Sequence, residues 1–228
     1  MKKYRHKNLV YFLSGAKPNL LLLSGTHGDE YESIRAIGEC LRKYQNSLPP
    51  FLYIPFVSPS AVKLQTRKNK AGLDINRTFL AKSKDRETEN VMEIVSRYRF
   101  NLCVTFHEDP EQKDFYLYDS GSVTAKDWKI FKKRLKGLGV GMLNGVDDAT
   151  DPILGNRFED GYKAFLTDKS SPASDGEGDG TFWSWAVAKG LVKKVMTPEV
   201  PGKLPIKTKG KVVEAFFQEI IIPLAEKN

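Results

Sequence analysis

The residues best suited to chemistry are His27 and Glu30, three positions apart in Gly25-Thr-His-Gly-Asp-Glu30. An imidazole and a carboxylate spaced this way across a tight turn can close on one metal ion. A catalytic zinc site takes about three protein ligands and keeps a further position for water. The same segment also suits a plain strand-to-helix turn, with Asp29 near a helix N-terminus where the dipole favours a negative charge. Further candidates lie downstream. His107 closes the apolar run Leu102 to Phe106, and Glu199 sits in Thr197-Pro-Glu-Val-Pro201. Arg67, Asn76 and Arg77 lie in the basic stretch Ser58 to Leu80, which also holds Lys63, Lys68 and Lys70.

These residues need a scaffold that brings them together. Leu20 to Leu23 is a continuous apolar run punctuated by Ser24, Gly25 and Gly28, the pattern of a strand buried on both faces. In open α/β sheets, ligands sit in the crevice beyond the carboxyl ends of such strands. His27, His107 and Glu199 each follow a run of this kind. Strands are also expected over Asn8 to Leu13, Asn19 to Ser24, Phe51 to Val57, Asp114 to Tyr118 and Leu191 to Met196. Pro55 suggests that the third of these runs is bent or near an edge. Helical spacing marks Asp29 to Tyr44, Asp85 to Phe100, Val123 to Leu138, Thr181 to Lys189 with Gly190 as its cap, and Lys211 to Lys227. Ser58 to Leu80 reads as a long loop, and loops of that length are usually functional or disordered.

Gly139 to Gly180 is the least regular part. Its acidic residues Asp147, Asp148 and Asp151 lack the spacing of a calcium loop and read as surface. Gly176-Glu-Gly-Asp-Gly180 has no strand before it, which argues against a nucleotide loop. The expected fold class is α/β, one domain over residues 1–228, with a mixed, mostly parallel sheet flanked by helices.

The composition, 40% hydrophobic and 28% charged, is that of a soluble globular protein. No apolar run approaches the roughly 18–20 residues of a membrane span. The basic start, Met-Lys-Lys-Tyr-Arg-His-Lys, is followed by an apolar stretch too short for a signal peptide, so a cytoplasmic location is expected. The net charge of +8 permits nucleic acid as a partner, but the lysines are scattered and no recognition motif accompanies them. A solvated basic surface, or a cleft attracting anionic substrates, explains the charge without nucleic acid. Cys40 and Cys103 each lie in an apolar-periodic segment and read as buried free thiols.

Four segments in order resemble the zinc metallocarboxypeptidase superfamily, and within it the succinylglutamate desuccinylase and aspartoacylase group. They are Gly25 to Glu30, Arg67 with Gly72-Leu-Asp-Ile-Asn-Arg77, Thr105-Phe-His107, and Thr197-Pro-Glu199. The resemblance implies one zinc ion per chain on His27, Glu30 and His107, with Glu108 or Asp109 as a competing ligand or supporting partner. Zinc makes hydroxide available near neutral pH by lowering the pKa of water to about 7. Glu199 is then the general base. Arg67 stabilises the developing oxyanion, although Lys63 or Lys68 could take its place. Asn76 and Arg77 hold a substrate carboxylate, Arg77 through a fork that lysine lacks.

The implied reaction is hydrolysis of an amide beside a free carboxylate in a peptide or an N-acyl amino acid. The rival implication is a non-hydrolytic protein that binds an acidic ligand on a retired scaffold. The resemblance is incomplete in two respects. Carboxypeptidases carry a tyrosine some two turns or more upstream of the catalytic glutamate, and Ser174 to Gly180 has none, leaving Tyr116, Tyr118 and Tyr162 as alternatives. The deacylase group commonly carries an extra C-terminal β-domain, whereas here the chain ends soon after Glu199, which reads as a minimal catalytic domain.

Overall fold

A computed structural model describes residues 1–148, 155–165 and 179–226. Asp151, Gly176, Glu177 and Gly178, singled out in the sequence, lie outside these residues. The strands are β1 (Lys2–His6), β2 (Leu9–Leu13), β3 (Leu20–Leu23), β4 (Phe51–Ile54), β5 (Phe100–Thr105), β6 (His107–Asp109), β7 (Tyr116–Asp119), β8 (Gly145–Val146), β9 (Arg157–Phe158), β10 (Tyr162–Ala164) and β11 (Val192–Pro201). The helices are α1 (Ile34–Tyr44), α2 (Pro59–Leu64), α3 (Arg86–Val95), α4 (Ala125–Gly137), α5 (Phe182–Ala188), α6 (Ile206–Phe216) and α7 (Ile222–Glu226).

One nine-stranded sheet runs β1-β2-β4-β3-β5-β11-β7-β10, with β6 pairing β11 beyond the end of β5. Its centre is parallel, from β4 through β3 and β5 to β11. Antiparallel pairs enter at β1–β2, β2–β4 and β11–β7. Strands β8 and β9 form a separate small pair.

Helices cover both faces, so the sheet is the middle of three layers. Leu20 and Leu22 turn to one face, toward Ile37 and Leu41 of α1 and Val212 and Phe216 of α6. Leu21 and Leu23 turn to the other, toward Val91 and Ile94 of α3 and Trp185 of α5. Burying each leucine contributes about 1.5–3 kcal/mol. A one-residue slip of β3 would exchange the two sets, so this register is tightly specified.

Several elements depart from the sequence expectations, each for a local reason. Helix α1 starts at Ile34 rather than Asp29. Among the intervening residues, the Ser33 N–H, which a helix from Asp29 would bond to the Asp29 carbonyl, donates instead to Glu108 Oε1 at 2.7 Å. Strand β4 is interior, not at an edge, because it ends at Ile54, before Pro55 could interrupt the ladder. The stretch Ser58 to Leu80 is not one loop. It contains α2, capped by the Ser58 side chain, and a 3-10 turn over Ile75–Arg77, capped by Asp74.

The closing helical segment begins with α6 at Ile206, five residues before the expected Lys211, and one π-helical turn over Phe217–Ile221 joins it to α7. The basic N-terminus forms the edge strand β1, where lysines and an arginine discourage pairing with another sheet. No helix of the described residues is long and apolar enough to cross a membrane.

Strand β11 is longer than expected and carries Thr197-Pro-Glu199 within it. A proline in a central strand removes a ladder hydrogen bond. Pro198 lies opposite Leu117, whose N–H donates to Gly161 O, away from β11. On its other side Pro198 falls at the break between β5 and β6, where Phe106 N–H donates to Leu23 O. The strand therefore continues past Pro198 to Glu199.

Both cysteines are buried and unpaired, Cys40 on α1 and Cys103 on β5. Burial, reinforced by the charge of Glu214, pushes the Cys40 thiol up to about 12. Burial alone pushes Cys103 up as well. Thiolate is the reactive form. The native protein should therefore leave Ellman's reagent untouched at pH 8, while unfolding in guanidinium should release both thiols. Rapid labelling of either thiol in the native state would contradict this packing.

Candidate active site

His27 and Glu30 stand on the loop that leaves β3. Gly25 makes the first turn with φ +61°, and a Cβ there would come within 2.8 Å of Pro55 O. Gly28 is required more strictly. A Cβ on it would lie 1.9 Å from Ala61 O, so only glycine lets the loop rest on the end of α2. This contact sets the turn between the two candidate ligands.

Glu30 reaches both imidazoles. Its Oε1 lies 2.5 Å from His27 Nδ1, and its Oε2 lies 2.8 Å from His107 Nδ1. All three residues are buried, and one ligand atom from each falls within 4.8 Å of the others. Glu30 Oε2 makes no properly directed hydrogen bond despite its near neighbour. Two ring nitrogens and a carboxylate thus converge on a common region rather than pairing completely with each other. This donor set fits a transition metal such as zinc.

The charges are strongly coupled. Burial opposes ionisation of Glu30, but His107 and His27 outweigh it and hold the carboxyl well below the usual range. Burial likewise opposes a charged His27. The Glu30 charge and hydrogen bonds to Asp74 and Glu30 outweigh it and raise His27 to about 9.

Asp74 was not singled out in the sequence, and the structure places it at the centre. Its Oδ1 lies 3.1 Å from His27 Nε2, on the far side of the ring from Glu30. Its Oδ2 accepts from Arg67 Nε at 3.1 Å and lies 3.0 Å from Arg67 Nη2. A carboxylate on the outer nitrogen of a ligating histidine fixes the tautomer and the ring orientation. The signal was present two residues before Asn76, in Asp74-Ile-Asn-Arg77. It could have been separated from a simple cap only by knowing what faces it.

Glu199 pairs with His107 on one side and Tyr116 on the other. Residues directly opposite in a sheet point to the same face, so Glu199 stands beside the histidine cluster. Its carboxyl opens to the cleft but is otherwise enclosed by protein. That enclosure, then the charges of Glu30 and Asp109, raise its pKa well above the ordinary value. Asp109 faces the same way as His107 and accepts from Tyr116 Oη at 2.7 Å. Glu108 points to the opposite face, bonding Ser33 N–H and Lys209, and is not one of the three clustered donors.

The cluster lies in a cleft of about 1150 Å³, also lined by Arg67, Asn76, Arg77 and Glu199. Lys63 and Lys68 are exposed and do not line it. Asn76 Oδ1 accepts the Phe182 N–H at 3.0 Å, which turns the amide's donors to the cleft. Tyr116 and Tyr118 line the cleft, whereas Tyr162 donates to Asp119 at 2.7 Å and packs on Trp128. His27, Glu30, Arg67, Asn76, Arg77, His107 and Glu199 therefore line one cleft, while Lys63, Lys68 and Tyr162 stand outside it.

Comparisons with known proteins agree with this architecture. Over 75 residues the chain is 39% identical to murein peptide amidase A of Escherichia coli (strain K12), a match covering 32% of this chain. The matched segment spans only 31% of that relative's length. A candidate metallopeptidase of Shewanella baltica OS155 superposes with a TM-score of 0.74 at 18% identity, covering 99% of this chain and 86% of that one. A metallo-carboxypeptidase of Burkholderia cenocepacia gives 0.62 at 14% identity, covering 96% and 61%. The murein-tripeptide amidase of Escherichia coli O157 gives 0.52 at 18% identity, covering 96% and 85%. At these identities the structural likenesses speak for the fold. Residues 16–143, more than half of the chain, match the succinylglutamate desuccinylase/aspartoacylase catalytic domain, and the chain belongs to that family.

Proposed function

We propose that this protein hydrolyses an amide bond next to a free carboxylate, with one zinc ion per chain held by His27, Glu30 and His107. The observation that carries the proposal is the convergence of these three buried donors beside Glu199 in one cleft. Family membership and the fold of peptidase-like neighbours support hydrolysis as the reaction class. Zinc, rather than another divalent metal, is preferred for the donor set of two imidazoles and one carboxylate.

When bound, the metal supplies Lewis acidity and makes water a competent nucleophile near neutral pH. The rest of the chemistry belongs to the side chains. Glu199 takes the proton of the attacking water and delivers it to the leaving amine. A carboxyl whose hold on a proton is strengthened by burial and by the neighbouring charges of Glu30 and Asp109 suits the acceptance and the return of that proton. Arg67, steadied by Asp74, offers its remaining N–H donors to the oxygen that gains charge. Asn76 and Arg77 bind the substrate carboxylate and align the amide. Peptides and N-acyl amino acids meet these requirements, and nucleic acid does not. A cytoplasmic location is part of the proposal, because two free thiols persist in a reducing compartment.

Elemental analysis should find about one zinc per chain in the protein and a sharply reduced content in His107→Ala. Glu199→Gln should keep the metal but lower kcat by about 10²–10⁴-fold, the usual weight of a general base. Undiminished turnover in this variant would remove Glu199 from the mechanism. Arg77→Lys should raise KM by about tenfold, because a point charge cannot replace a two-pronged contact. Ligand binding that survives metal removal, with no turnover of any peptide or N-acyl amino acid, would instead identify a binding protein.

A further inference from the structure

Behind the candidate ligands, on the face of the sheet away from the cleft, lies a charged cluster with no part in the proposed reaction. Lys209 of α6 is 3% exposed, in a helix that otherwise packs Val212, Val213 and Phe216 into the core. Its Nζ donates to Glu108 Oε2 at 2.8 Å and to Glu32 Oε2 at 2.5 Å. Glu108 is itself 2% exposed, and its other oxygen accepts the Ser33 N–H at 2.7 Å. Burial disfavours the ammonium, but the bonds to Glu108 and Glu32 outweigh it and keep the lysine charged.

Such a cluster is a poor device for stability alone. Removing charges from water costs several kcal/mol per ion, and an apolar side chain of similar length often stabilises as well or better. What the cluster does distinctively is join three segments. Glu32 and Ser33 follow Glu30 on the ligand loop. Glu108 follows His107 on β6. Lys209 anchors both to α6. Successive strand residues point to opposite faces, so Glu108 grips β6 from behind while His107 faces the cleft. A displacement of either segment would change the separation of Glu30 and His107.

We infer that Lys209, through Glu108 and the Ser33 N–H, is a positioning residue that sets the spacing of the metal ligands on the two segments. This inference rests on the proposed metal site. The Lys209–Glu108 bridge acts on the ligand loop and on β6 together, and the Lys209–Glu32 bond adds a second hold on the loop.

The test is Zn²⁺ affinity, measured on the full chain by competition with a chromophoric chelator. The parent is compared with Lys209→Met and with the double variant Lys209→Met/Glu108→Gln. The single variant strands a buried carboxylate and could unfold. The double variant removes both buried charges and keeps an acceptor for the Ser33 N–H. It should fold and melt cooperatively, yet bind Zn²⁺ about 10- to 100-fold more weakly, the usual effect of losing support behind a ligand. The visible spectrum of the Co²⁺ form should shift as well, because it reports ligand geometry.

An affinity within about twofold of the parent, with an unchanged Co²⁺ spectrum, would overturn the inference while leaving the metal site intact. Failure of both variants to fold would assign the cluster to the core and would also overturn it. A parent that takes up no Zn²⁺ would defeat the metal proposal itself, and the inference with it.

Discussion

The site depends on keeping one carboxylate, Glu30, ionised away from water. An isolated buried carboxylate would cost several kcal/mol and would take up a proton instead. Two imidazoles within 2.8 Å of its oxygens prevent that. They must then be held by something other than Glu30 itself. His27 is held by Asp74 on its outer nitrogen, and Asp74 by Arg67. His107 is held by β6, in register with β11. The chain of constraint thus runs from one buried charge outward to surface and sheet.

The sheet answers the same demand. A parallel centre places several strand ends at one rim, and the ligand segments leave from that rim on neighbouring strands. Strand β3 pairs with β5 through Leu23 and Thr105, which stand two residues before Gly25 and His107 respectively. The break at Phe106 lets β6 restart beside the far half of β11. Pro198 marks the same break from the other side. It lacks an N–H where no continuous β5 ladder is present to receive one. The same irregularity brings Glu199 level with His107.

The pair His27 and Glu30 was legible because its chemistry is local: both share one turn, so spacing groups them. Arg67, Asn76, Arg77 and Glu199 took their roles from the resemblance of four ordered segments to a known family, not from spacing. The apolar runs announced the strands for the same reason: four leucines in β3 fill both faces of a sheet. What was not legible depends on partners distant in sequence. The late start of α1 follows from Glu108 taking the Ser33 N–H that a helix from Asp29 would have used. Helix α2 hides in a polar, basic stretch because Glu87, from α3, bonds Ser58 Oγ and the Ser60 N–H at its start. The interior place of β4 could not be read from Pro55, which lies just outside it. Asp74 resembles a capping residue, and it is one, accepting from Asn76 N–H at 3.0 Å. Its second role appears only when His27 is seen opposite.

The arrangement also surrounds the two arginines of the cleft differently, Arg67 with a carboxylate and Arg77 with a neutral carbonyl. Arg67 commits one edge of its guanidinium to Asp74, so its charge is already half matched before any substrate arrives. That suits a role toward an oxygen that becomes charged only during reaction, where a tightly held ground-state anion would be a disadvantage. Arg77 donates Nη1 to the carbonyl of Asn76, a neutral partner, and keeps its charge for a ligand. Asn76 adds amide donors, because its own oxygen is occupied by the start of α5. Under the proposed reaction, the stable carboxylate of the substrate therefore belongs to Arg77 and Asn76. The transient charge belongs to Arg67, and the division follows from which acceptors the folded chain has already supplied to each.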